Sequence, residues 1–253
     1  MSLVYLVGTV HWDLKGPERL RKFLGYIRPG TIGLEASEEL IKQRLKDREQ
    51  IKQLLEEEKR FNSMIGGLYK GTGKENPKSG EDLVLQFAAV QGYEFWTSYE
   101  HKLEENPIVE IVPMHTHEFL TRKSKEIYSK AFNQVSAETG HQFLDQKGEF
   151  TKDFCDEIST WDPIKLQSWI DENYQDTETT AQIAREDPNH AQFLKDADDA
   201  MEQKVRELVE KNDGHIVIPV GHAHVFTNYE NNLYTRLKDL SPTRIRLSDV
   251  DRF

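Results

Sequence analysis

The chain has 253 residues, 37% of them hydrophobic and 30% charged, with a formal net charge of -11 and a mean hydropathy of -0.71. That length suffices for one large buried core, and so wet a composition points to much exposed helix surface. The acidic balance argues against general binding to phosphate backbones or anionic membranes, and no apolar run approaches the roughly 20 residues of a bilayer span.

The first strand-like run is Leu3, Val4, Tyr5, Leu6 and Val7, closed by Gly8. It begins within a few residues of Met1, so no secretory leader is expected. A helix over 17–28 follows, with Pro17 at a favoured first position. The turn signal Pro29-Gly30 leads into a second strand, Thr31, Ile32, Gly33 and Leu34. The next connection, about 36–105, reads as a charged helix over 38–60, a Gly-rich break from Gly66-Gly67 to Gly80, and a second helix over 81–104. A third strand over 108–112 follows Asn106-Pro107. The connection after it, about 116–211, reads as all-helical and carries Trp161, Trp169 and Tyr174. A fourth strand over 215–220 follows Asp213-Gly214. A fifth over 243–247 follows Ser241-Pro242, and its alternation suggests an edge strand with one wet face.

Strands alternating with helices signal an α/β fold with a mostly parallel central sheet. The expectation is a single domain over 1–253, with flanking helices and two large helical inserts forming a cap over one end of the sheet. Cys155 is the only cysteine. It permits no disulfide within the chain, which fits a reducing compartment, and a cytoplasmic location is expected.

Ligands of open parallel sheets bind outside the carboxyl ends of the strands. Here the first strand is followed by Gly8-Thr9-Val10-His11, and the second ends at Glu35. The third leads to His115-Thr116-His117, and the fourth to Gly221-His222-Ala223-His224. Five of the nine histidines thus fall in strand-end turns, which favours a shared site over scattered loop residues. His11, Glu35 and His224 form the core of that site. Two imidazoles and a carboxylate suit a divalent metal with an open position. They equally suit metal-free acid–base work, and the residues alone do not separate the two. His115, His117 and His222 read as supporting or surface histidines. Gly8 and Gly221 read as residues that let the backbone turn sharply beside a ligand.

Gly71-Thr72-Gly73-Lys74 lacks the spacing and the following hydroxyl of a phosphate loop. Cys155 has no partner motif for a nucleophile. The charged run over 38–60 reads as a solvated helix face that leaves room for a homodimer without demanding one. The tryptophans of the second insert read as packing residues.

The order Gly8 to His11, then Gly33-Leu34-Glu35, then Gly221 to His224 resembles the TraB/PrgY/GumN/TIKI family, within a superfamily that includes erythromycin-esterase-like and ChaN-like proteins. Gly80-Glu81 resembles a further acidic feature of the group. The likeness covers the two ends of the chain and little of its helical middle. Family members carry an Arg-Asn pair before the last Gly-x-x-His strand, whereas 196–201 here read Asp-Ala-Asp-Asp-Ala-Met. Arg185 and Arg206 are the cations that could replace it in space.

The resemblance implies either a metal-dependent peptidase or a His/Glu hydrolase in some branches, and peptide-signal shutdown or haem binding in others. On that basis the expected function is a hydrolase with a peptide or small-molecule substrate. His11, Glu35 and His224 would be its catalytic residues. They would also hold a divalent manganese, cobalt, zinc or iron ion, with Glu81 as a further acidic ligand. The alternative is a protein that sequesters a peptide or a haem-like ligand without turnover. No nucleic-acid partner is expected.

Overall fold

The computed structural model describes residues 3–50, 53, 90, 92–116, 119, 161 and 163–252. Five strands form one all-parallel sheet: β1 (Val4–Thr9), β2 (Thr31–Leu34), β3 (Glu110–Pro113), β4 (Ile216–Gly221) and β5 (Thr243–Arg246), in the order β3-β2-β4-β1-β5. Helices α1 (Gly16–Ile27), α2 (Tyr93–Glu104), α3 (Pro163–Asn173), α4 (Thr179–Glu186) and α5 (Pro188–Lys211) accompany it, with the short α6 (Ala223–Phe226) and α7 (Leu233–Arg236) after β4. This is the expected α/β architecture. Among the described residues no helix is long and apolar enough to cross a membrane.

Burial follows strand position. β4, at the centre, is buried throughout, whereas the edge strands β3 and β5 carry exposed positions. The side chains divide by face. Val7 and Val217 join α1 and α2 in one apolar cluster; Leu6, Ile216, Ile218 and Val220 join α5, α6 and α7 in the other. Each fully buried aliphatic side chain contributes about 1.5–3 kcal/mol relative to exposure.

Two expected elements shift. The third strand begins at Glu110 rather than 108, because the Val109 N–H turns back to the Asn106 carbonyl and leaves Ile108 90% exposed. The helix expected over 81–104 does not run unbroken into α2. Gly92 holds a φ of 68°, in the left-handed region that favours glycine, and α2 starts only after it. Residues 38–50 are helical as expected. Glu81, His117, Cys155 and the Gly-rich break from Gly66 to Gly80 lie outside the described residues.

The loop from β1 to α1 is locked from below. Asp13, wholly buried, accepts from Arg19 (2.7 Å), the Tyr174 hydroxyl (2.9 Å) and Gln167 (3.1 Å). The same hydroxyl accepts the Val10 N–H at 3.3 Å. Arg19 also reaches Asp171 of α3 and Asp251 near the carboxyl terminus. This ion network fixes the backbone on both sides of His11.

Candidate functional site

The chain leaves β1 toward the face covered by α1, and leaves the neighbouring β4 toward the face covered by α6. Connections parting from adjacent parallel strands open a crevice at the carboxyl edge of the sheet, the usual place for a ligand. His11 comes from the first connection and His224 from the second. Glu35 follows β2, the other neighbour of β4.

The three side chains meet over Gly221. A Cβ at Gly221 would lie 3.3 Å from His11 Nε2, 3.5 Å from Glu35 Oε2 and 3.6 Å from His224 Cδ2. The Gly221 N–H donates to Glu35 Oε2 at 2.7 Å. Neither Gly8 nor Gly221 has a positive φ, the conformation only glycine adopts freely. Their role is space: Gly8 admits the ring of Phe226, and Gly221 admits the cluster.

Each imidazole is backed by a buried carboxyl group that sequence reasoning did not find. His11 Nδ1 lies 2.7 Å from Glu94 Oε1, and His224 Nδ1 lies 2.7 Å from Asp198 Oδ1. The Tyr229 hydroxyl donates to the other oxygen of Asp198 at 2.6 Å. With Nδ1 so occupied, the working atom of each ring is Nε2. That of His224 faces Glu35 Oε1 at 3.2 Å. The His11 side chain is 45% exposed, so the site is reached from its side.

Electrostatics follow this geometry. Burial works to lower the His11 pKa, but the charge and hydrogen bond of Glu94, with help from Glu35, push it up to about 9. Burial likewise opposes the charged form of His224, yet Glu35 and Asp198 together hold it well above its ordinary value. For Glu35, burial favours the neutral acid, and the charge and hydrogen bond of His224, then the charge of His11, hold it below the usual carboxylate range. The resting cluster is therefore a chain of charge-assisted bonds, Asp198 to His224 to Glu35, with the imidazolium of His11 beside it.

His11 contributes stability that is complete below pH 6.5 and is lost as pH rises through about 9, because its folded-state value is the higher one. In metal-free protein, an NMR titration of the His11 ring is expected to show a midpoint near 9. Glu94→Gln is expected to bring that midpoint down, because the largest raising influence is gone. An unmoved midpoint would exclude Glu94 as its cause.

The other strand-end histidines separate. His115 is buried and stacked on Phe119, with centroids 4.9 Å apart. Burial lowers its pKa, while it remains near enough to Glu35 and His224 to feel both charges. His222 turns away and stacks on Phe226 at 5.0 Å; burial, then Arg246, lowers its pKa to about 4. It is therefore a neutral packing group and does not support the cluster. Arg185 pairs with Glu178, and Arg206 with Glu202 and Asp239. The cation whose charge reaches Tyr229 is Arg236, which pairs with Asp199 and Glu202.

The stretch 196–201, in α5, supplies Asp198. Its signal was legible: Leu194, Ala197, Met201, Val205 and Leu208 form the buried stripe of α5, and Asp198 falls on it. An acid on the apolar face of a helix needs a partner inside. Glu94 was hidden by the expectation of one continuous helix over 81–104. Tyr229 carried no signal.

The donor types suit a divalent metal, and the bare Gly221 leaves the centre free of side chain. As they stand, however, His224 and Glu35 hold one another, and among the described residues no three His, Cys, Asp or Glu side chains are grouped to hold a metal ion. Comparison with protein-family models, with curated proteins and with solved structures gives no match for this chain.

Proposed function

We propose that the chain is a hydrolase of carbonyl compounds, with a peptide as its substrate class and His11, Glu35 and His224 as its working groups. One observation carries this reading. Two imidazoles from opposite ends of the sequence are each anchored at Nδ1 by a buried carboxyl group; His224 Nε2 meets Glu35, and His11 Nε2 and the same carboxylate both lie within 3.5 Å of where a Gly221 Cβ would stand. Anchoring of this kind fixes tautomer and ring orientation, which both metal ligation and acid–base catalysis require.

In this proposal His11, Glu35 and His224 would hold a manganese, cobalt, zinc or iron ion. When bound, such an ion supplies Lewis acidity, polarising a carbonyl and acidifying water. The chain's own part is to orient both rings through Glu94 and Asp198, and to present His11 Nε2 over Gly221.

The direct bond between His224 and Glu35 favours a second form of the same function, without metal. In that form the half-exposed imidazolium of His11 donates a proton to the departing group. Glu35 takes up the proton of water as its bond to His224 yields.

The deciding experiment is elemental analysis of the untagged protein beside His11→Ala/His224→Ala, followed by a peptide-library screen of both. A stoichiometric metal lost in the double variant, with peptide cleavage lost alongside it, supports the metal form. Cleavage without metal supports the second form. No cleavage of any peptide, before or after incubation with the four ions, would overturn the hydrolase reading and turn attention to ligand sequestration.

A further inference from the structure

Helix α2 carries Glu94, Thr97, Ser98 and His101 at positions i, i+3, i+4 and i+7, which share one helical face. All four are buried. Among the described residues, Glu94 Oε2, Thr97 Oγ1, Ser98 Oγ and His101 Nε2 find no hydrogen-bond partner. The helix also buries Tyr93, Phe95 and Trp96 in the apolar core, so the polar stripe is a second buried face, beyond the single apolar one a packed helix needs. Buried donors and acceptors are seldom left unpaired, and where protein supplies no partner, ordered water does.

Both ends of the stripe belong to imidazole–carboxyl pairs. At one end, Glu94 Oε1 meets His11 Nδ1 at 2.7 Å. At the other, His101 Nδ1 meets Glu105 Oε2 at 3.1 Å, and the Glu105 side chain is 39% exposed. Helix α2 runs opposite to the strands. Before its first turn, the Gly92 N–H bonds to the His11 carbonyl at 3.0 Å. Just beyond its last turn, Asn106 Nδ2 bonds to the Pro29 carbonyl, ahead of β2, at 2.9 Å. The stripe therefore spans the depth of the sheet, from its carboxyl edge to its amino edge, over roughly 10 Å at 1.5 Å per residue.

We infer that a file of buried water molecules runs along this face of α2, joining the His11–Glu94 pair to the His101–Glu105 pair, and that protons behind His11 exchange with solvent through it. Neighbouring positions on such a face lie about 5–6 Å apart, a gap that one water molecule bridges. The hydroxyls of Thr97 and Ser98 both donate and accept, so a proton can hop along the file without leaving a charge on either. The exchange route stands by itself, and its bearing on catalysis rests on the reading of His11 as a working imidazole.

The test uses full-length, metal-free protein labelled with nitrogen-15 at histidine, and needs neither substrate nor turnover. Water–protein cross-relaxation is expected to place long-lived water beside Thr97 and Ser98. In Thr97→Val/Ser98→Ala the His11 Nδ1 proton is expected to exchange about tenfold more slowly with solvent, as for a site cut off from water. The Nε2 proton, which faces Gly221 and not Glu94, is expected to keep its rate. His101→Phe, which closes the far end alone, is expected to slow Nδ1 exchange in the same way and serves if the double variant does not fold. Absence of long-lived water in the parent, or an unchanged Nδ1 rate in a folded variant, overturns the inference. Because no step requires hydrolysis, failure here leaves the hydrolase reading standing, and failure of that reading leaves the water file standing.

Discussion

Glu35→Gln is expected to lower kcat/KM for peptide cleavage by roughly 10²- to 10⁴-fold, the scale of a lost acid–base group, while the protein remains folded. The amide keeps a carbonyl oxygen for the Gly221 N–H, so the contact that seats residue 35 survives. What disappears is the charge. Glu35 raises the pKa of both His11 and His224, and is itself held low chiefly by the charge of His224, then by its hydrogen bond. The variant therefore shifts both imidazoles down and, in the proposed reaction, would lose the acceptor for water's proton and one donor for a metal. Kinetics on a cleaved peptide, with thermal unfolding as the control, check this outcome. Turnover equal to the parent's would remove Glu35 from the mechanism and the site assignment with it. The acid limb adds a sign. A carboxylate held below its ordinary value stabilises the fold at neutral pH and loses that contribution as pH falls from about 4 downward. Glu35→Gln is expected to lack that part of the parent's acid sensitivity.

Arg19→Leu is expected to be the most damaging change to stability. Arg19 is 3% exposed and meets Asp13, Asp171 and Asp251 at once. Its removal leaves Asp13 wholly buried with only neutral partners, Tyr174, Gln167 and the Lys15 N–H. Breaking a buried pair from one side costs about 3–5 kcal/mol. In a chain of this size that lowers Tm by roughly 6–20 °C. Arg19→Leu/Asp13→Asn is expected to recover much of the loss, because the stranded charge is then gone. Calorimetry of both variants measures it. A single variant within 2 °C of the parent, on the order of half a kcal/mol, would show that the network is not what holds the His11 loop.

Sequence and tertiary structure divided the work in a physically intelligible way. Strand positions were legible because β1, β2 and β4 are buried on both faces and so read as unbroken apolar runs bounded by turn residues. Parallel strands place their carboxyl ends at one edge, so the meeting of His11, Glu35 and His224 followed from where each strand ends. The third strand was misplaced because Ile108 is apolar and yet exposed, held in a turn by a backbone bond to which composition is blind.

The choice among similar histidines belonged to the fold. His222 and His224 are two residues apart and would share a face on a strand. The chain instead enters the helical turn of α6, where residues two apart do not face each other. His224 therefore points at Glu35, and His222 at Phe226. Glu94 and Asp198 come from helices in the two long insertions, and each finds its imidazole at a sequence separation of 83 or 26 residues. Only packing brings such pairs to 2.7 Å. By itself the sequence determined an α/β sheet and three residues at its carboxyl edge. The tertiary structure decided which nitrogen of each ring faces the cluster, because that depends on the buried carboxyl group behind it.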